Sequence, residues 1–210
     1  MSHRPSRRAA LIGACVAGLH ALALPRAARA QTDAADIGRV EAYFNRITTL
    51  QSDFTQFGAD GRTATGKFYL SRPGRLRFAY DPPSKVLVVA DGLRVVYQDF
   101  ELGQSTQVLI AQTPLAVLLD SPVDLKSGRV SASRVERRPG TLRLTVLDRK
   151  KPEEGSMLIE FGDNPLELRN WRVTDAQGQQ TTVALSNLQF DVAIRADLFR
   201  VVEKMPGEGR

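Results

Sequence analysis

The sequence predicts a mainly β protein with a few helices, laid out as one long antiparallel meander that curls on itself, and two observations carry that prediction. The first is the stretch from Gly66 to Asp99, which reads as four short strands separated by turn chemistry: Arg72-Pro73-Gly74 presets one reversal, Asp81-Pro82-Pro83 stops the next strand, and Asp91-Gly92 is a hairpin dipeptide. The second is the alternation inside that stretch. Leu76, Phe78 and Tyr80 share one face while Arg75 and Arg77 share the other, because successive side chains point to opposite sides of a strand. One face is apolar and the other wet, so the sheet has a side to bury.

In chain order, residues 1 to 30 read as an export leader: a basic start through Arg8, an apolar run from Ala9 to Leu24, and Ala28-Arg29-Ala30 as a small-residue cleavage site before Gln31. The apolar run falls short of the ~20 residues that span a bilayer, and Gly13, Gly18 and His20 interrupt it. Ser6-Arg7-Arg8 resembles a twin-arginine export signal, and Ile12-Gly13-Ala14-Cys15 resembles a lipobox. Against the lipobox stand the short distance from Arg8 to Cys15 and the better site downstream. The expected organisation is therefore a removable leader over 1–30 and a single domain over 31–210.

Asp33 to Leu50 is the best helix, with Ile37, Val40, Phe44, Ile47 and Leu50 at three- and four-residue spacings and Asp33 or Asp36 available as a cap. Strands are expected at Gln51–Phe57 and Thr63–Ser71, then through the central block, and at Leu93–Asp99 and Gln104–Ile110. At Thr113-Pro114 the period changes: Thr113 is placed to cap, and Leu115 to Leu119 form a short helix so apolar all round that it should sit inside something. Strands resume at Arg129–Glu136, Thr141–Asp148, Ser156–Phe161, Leu166–Thr174 and Gln179–Leu188, punctuated by Pro139-Gly140, Asn164-Pro165 and Gln177-Gly178. Ala196-Asp197-Leu198 is a helical turn before a last strand, Phe199–Glu203, and a loose tail. A sheet of roughly eleven strands in sequential hairpins curls, and helices lying in its hollow either fill it as a core or leave a cavity.

Composition removes whole classes of function. The single Cys15 and the two histidines, His3 and His20, all lie in the leader. The chain after Ala30 thus has no disulfide, no Cys or His metal ligand, no Cys nucleophile and no His-based triad. The formal charge of +6 is also largely a leader property: five of the 29 basic residues lie there with no acid, leaving 24 against 23 beyond it. No global case for nucleic-acid binding remains. A local basic run, Arg129, Arg134, Arg137, Arg138, Arg143, Arg149, Lys150 and Lys151, is either a solvated strand face or a surface for an anionic membrane or partner.

Several features together resemble the LolA-type family, the periplasmic carriers of outer-membrane lipoproteins in Gram-negative bacteria. They are Ser52-Asp-Phe-Thr-Gln56 after the first helix, Gly66-x-Phe-x-x-x-Arg-Pro-Gly74, the Arg77-Phe-x-Tyr80 strand, Asp91-Gly92, Tyr97, Gln104, Thr113-Pro114 and the run from Trp171 to Gly178. The resemblance implies a strongly curved, incomplete antiparallel β-barrel with a helical lid over a hydrophobic cavity that takes acyl chains. It implies no enzymatic activity and no cofactor or metal. Carried over by position, Arg72 matches a residue that bonds the lid backbone and favours the closed state, and Leu76 stands where the family usually has an aromatic.

On that reading the cavity wall comprises Phe54, Phe68, Leu76, Phe78, Tyr80 and Tyr97, with Leu115 and Leu118 on the lid side and Arg72 as the latch. Read from the residues alone, the same aromatics with Trp171 are an ordinary core and Arg72 is a turn residue. The implied function is a periplasmic chaperone that carries lipoproteins from the inner to the outer membrane. Its implied partners are acylated lipoproteins, the inner-membrane lipoprotein-releasing ABC transporter, and an outer-membrane acceptor or the outer membrane itself; a monomer and no nucleic acid are expected. A carrier of other lipids and a periplasmic lipid-sensing regulatory domain are the alternatives on the same scaffold.

Overall fold

The computed structural model describes residues 24–201. His3, Arg7, Arg8, Cys15, His20 and the tail after Lys204 lie outside them. Helix α1, Leu24–Asn45, runs through Ala28-Arg29-Ala30 and ends earlier than the spacing predicts. A strand starts at β-branched Thr49 instead, so Ile47 and Leu50 bury into the same core from a turn and a strand. Asp33 and Asp36 are not caps. They sit inside the helix, where Arg137 reaches both at 2.9 and 2.6 Å and Arg39 pairs with Asp36 at 2.9 Å.

Eleven strands follow: β1 Thr49–Phe57, β2 Thr63–Ser71, β3 Arg75–Tyr80, β4 Val86–Asp91, β5 Arg94–Asp99, β6 Gln104–Leu109, β7 Val130–Arg138, β8 Thr141–Asp148, β9 Gly155–Gly162, β10 Glu167–Asp175 and β11 Gln180–Phe190. They form one open antiparallel sheet in the order β6-β5-β4-β3-β2-β1-β11-β10-β9-β8-β7. Every neighbour in it is sequential except β1 and β11. The unclosed side lies between β6 and β7, and the segment joining these strands carries helix α2, Ala116–Leu119. Thr113 does not cap α2: its hydroxyl donates backwards to the Ile110 carbonyl at 3.1 Å and closes the preceding 3-10 turn, Ile110–Gln112.

The register sets the faces. Leu50, Leu70, Leu76, Ala90, Val95 and Val108 form one row across six strands, and Phe68, Phe78, Val88 and Tyr97 form the next. This inner face, with α1 and α2, makes one continuous core that includes Val40, Phe44 and Leu118 together with Leu144, Ile159 and Trp171 from the far half of the sheet. The hollow is therefore filled by helix and sheet surfaces meeting.

Gly66 permits a close approach between strands. A Cβ there would lie 2.1 Å from the Ala79 carbonyl oxygen and 2.8 Å from Cε1 of Phe54.

The outer face has a smaller core of its own. Leu87, Val89 and Val96 are buried on it, and a 3-10 helix, Ala196–Phe199, lies against β3 and β4 with Phe199 buried. Arg77 Nη1 donates to the Leu198 carbonyl at 3.0 Å. Over 199–201 this replaces the expected last strand: the chain has left the sheet and crosses its outer face, where no strand neighbour is available. Most of the basic run is neutralised in place, with Arg129–Asp148 at 2.9 Å, Arg134–Glu136 at 2.8 Å, Arg143–Glu160 at 2.5 Å and Lys151–Glu154 at 2.5 Å. A paired, solvated strand face is what these contacts describe.

Candidate functional site

Strand alternation brings Phe54, Phe68, Leu76 and Phe78 together as buried residues of the inner face. Their rings meet edge-on or tilted: Phe54–Phe78 at 5.1 Å, Phe68–Phe78 at 4.9 Å and Phe54–Tyr80 at 5.1 Å between centroids. Trp171 of β10 completes the wall from the other half of the sheet, 5.6 Å from Phe68. Tyr80 is half-buried, and its hydroxyl donates to Gln56 Oε1 at 2.8 Å. Burial pushes its phenol well above the usual range, so it stays neutral. Apart from the engaged Tyr80 hydroxyl and the Trp171 indole N–H the wall is hydrocarbon, a surface suited to apolar ligands and to no proton chemistry.

Tyr97 is placed apart. It lies on the inner face beside Val88, but in the second strand from the β6 edge, where it is 43% exposed. On the helix side, Leu118 is buried in α2 and Leu115, its N-cap residue, is half-buried.

Arg72 lies at the β2–β3 turn, and its Nη1 donates to the carbonyl of Phe44 in the last turn of α1. In the same turn the Gly74 amide donates to the Leu119 carbonyl of α2 at 2.9 Å. One turn of the sheet thus touches both helices. The Arg72 guanidinium is poorly served there: Nε and Nη2 are buried without a hydrogen bond, and burial lowers its pKa, opposed by the charge of Asp120. Leaving these donors unmet offsets part of what the charge-assisted bond to Phe44 contributes.

Two residues tie α1 to the segment that follows α2, and neither is singled out by the sequence. Asn45 donates to the Val123 carbonyl at 3.1 Å and accepts from the Val123 amide at 2.7 Å, and Glu41 Oε1 accepts from the Leu125 amide at 2.8 Å. Their four-residue spacing on α1 marks a shared polar stripe, but nothing local in the sequence points to a segment some eighty residues away. Through them α1 and the segment after α2 form one unit.

The family model for the outer membrane lipoprotein carrier protein LolA matches residues 45–202. An outer-membrane lipoprotein carrier protein of Xylella fastidiosa is 32% identical over 170 residues, covering 77% of this chain and 80% of the relative. Its counterpart in Chromohalobacter salexigens is 31% identical over 189 residues, covering 85% and 87%. Among solved structures, a LolA superfamily protein from Nitrosomonas europaea superposes with a TM-score of 0.42 at 8% identity, covering 80% of this chain and 97% of that one. With a family model spanning most of the chain and curated relatives of this identity along 80% and 87% of their length, the chain belongs to the LolA family of outer-membrane lipoprotein carriers.

Proposed function

We propose that the protein is a periplasmic chaperone that shields the acyl chains of lipoproteins on its inner face and carries them from the inner to the outer membrane. The family is one of non-enzymatic carriers, and the relatives' name supplies lipoproteins as the cargo. The transporter that loads such a carrier is an inner-membrane lipoprotein-releasing ABC transporter, and the receiver is an outer-membrane acceptor or the membrane itself. The carrier acts as a monomer after cleavage at Ala30, which leaves α1 to begin at Gln31. An acyl anchor cannot cross water at a useful rate, because each buried methylene is worth ~0.8 kcal/mol. The carrier must bury that surface and give it back.

The observation that supports this reading best is that one turn of the sheet bonds both α1 and α2 beside the wall. A lid must have two states of similar energy. Arg72 meets that need, since its bond to Phe44 favours closure while its two unmet donors keep the closed state shallow. Opening withdraws α1 and α2 together and uncovers Phe54, Phe68, Leu76 and Phe78 to the ligand.

Arg72→Leu tests this. Losing a charge-assisted bond worth about 1.5–3 kcal/mol should favour the open state, easing loading from inner-membrane vesicles and slowing release to outer-membrane acceptor. Loading and release are measured separately on the same purified protein. If neither changes, Arg72 is a turn residue and the latch is lost. If unaltered protein accepts no lipoprotein at all, the carrier reading fails.

A further inference from the structure

Among the described residues the sheet has two free edges, β6 and β7, and they are built differently. β7 is blunted. Its register breaks between Ala132 and Arg134, and Arg134, Glu136, Arg137 and Arg138 set charges along it. Bulges and charges are how natural sheets keep an edge from pairing with other chains. β6, Gln-Ser-Thr-Gln-Val-Leu, has neither charge nor proline, is exposed along its whole length, and keeps regular register with β5 from Asp99↔Gln104 to Arg94↔Leu109.

The alternation of an antiparallel ladder shows which backbone groups of β6 point outward. The Ile110 amide donates to the Leu93 carbonyl at 3.0 Å. That makes Leu93/Ile110 a bonded pair and, at every second residue, Val95/Val108, Tyr97/Thr106 and Asp99/Gln104 as well. The far side of β5 agrees: Phe100 N donates to Lys85 O at 3.0 Å, which phases Val96 and Gln98 toward β4 and leaves Val95, Tyr97 and Asp99 for β6. The N–H and C=O groups of Ser105, Gln107 and Leu109 therefore face away from the sheet. Apolar surface reaches this edge on both faces, with Val108 39% and Tyr97 43% exposed inside and Leu109 43% exposed outside.

We propose that β6 is a strand-addition site for the polypeptide that follows the acylated residue of a lipoprotein cargo. The inference rests on the carrier reading and deepens it. Acyl chains that reach the inner face through the open side between β6 and β7 hold the residue bearing them at that opening, so its polypeptide begins beside β6. Strand addition recognises main chain, with side chains secondary. That suits a carrier whose cargoes share an anchor and differ in sequence. An edge charged like β7 would discriminate among them, and β6 does not.

The test compares two lipopeptides with the same triacylated cysteine, one ending just after it and the other continuing through a strand's length of uncharged residues. The longer one should bind the unaltered protein roughly fivefold to tenfold more tightly, as a few net main-chain hydrogen bonds allow. On binding it, the amides of Ser105, Gln107 and Leu109 should slow in hydrogen exchange, and the shorter lipopeptide should leave them unchanged. Gln107→Pro removes one outward N–H without touching the β5 ladder and should abolish the longer lipopeptide's advantage while the shorter binds as before. Ser105→Pro repeats the test should that variant not fold, and amide exchange decides without any variant. Equal affinity for both lipopeptides with no amide protection would overturn the proposal and leave the carrier reading standing. A dimer that Gln107→Pro converts to monomer would assign the edge to a second copy and overturn it too. If neither lipopeptide binds, the carrier reading falls and this inference falls with it.

Discussion

Gly66 sits where the packing of the wall leaves no room for a single extra carbon. Both neighbours of its absent Cβ are fixed: the Ala79 carbonyl belongs to the β2–β3 ladder, and the Phe54 ring is held by Phe78 and Tyr80. Gly66→Ala should therefore destabilise the protein by about 1–3 kcal/mol, read as a lower denaturation midpoint with an unchanged slope. An unchanged midpoint would mean that the two strands separate more readily than their register suggests. Glycine at this position was quoted from the sequence as part of a motif, but its reason is a contact between strands and so was not visible there. Leu76 and Phe78 are legible because period-two alternation needs only local sequence, whereas Phe54 and Phe68 join them through the family resemblance. Tyr97 obeys the same alternation and still lies exposed, since distance from the sheet's edge is a property of strand order.

At the scale of elements, the strands and α2 are legible nearly to their ends and α1 is not. The signals that bound a strand, such as Asp91-Gly92 or Pro139-Gly140, are chemical and local. Helix α1 was extended to Leu50 because Ile47 and Leu50 keep its spacing, although they fill the core from a turn and from β1. The strand expected from Phe199 is not formed over 199–201; what decides the conformation there is the outer face of β3 and β4, supplied by distant residues. This crossing segment has its own small core. Phe199→Ala should cost about 3 kcal/mol of stability, measured by urea unfolding, while loading of acyl ligand on the opposite face stays the same. A loss of loading at full stability would show that the two faces are coupled.

For the whole molecule, the sheet order places β1 and β11 in the middle and β6 and β7 at the ends. Native-state hydrogen exchange should follow that order, with amides in the β1–β11 ladder exchanging only on global unfolding and those of β6 exchanging through local opening. Exchange from β1 as fast as from β6 would show that the two halves separate as independent units. The single antiparallel sheet and its curl were readable from sequential hairpins. The pairing of first strand with last was not, because nothing in either strand names its partner across the chain.

That pairing also shapes the route by which the chain can fold. Each of the two meanders, β1 to β6 and β7 to β11, is made of near neighbours, and structures rich in local pairings form quickly. The ladder that unites them is different in kind. One side of β1 stays without its mate until almost the entire polypeptide has been delivered, so the hollow cannot take its final shape around α1 before then. A chain threaded through a membrane from its N-terminus would thus arrive as two early hairpin arrays and one late closure, and its apolar interior would stay unfinished until its last strand had crossed.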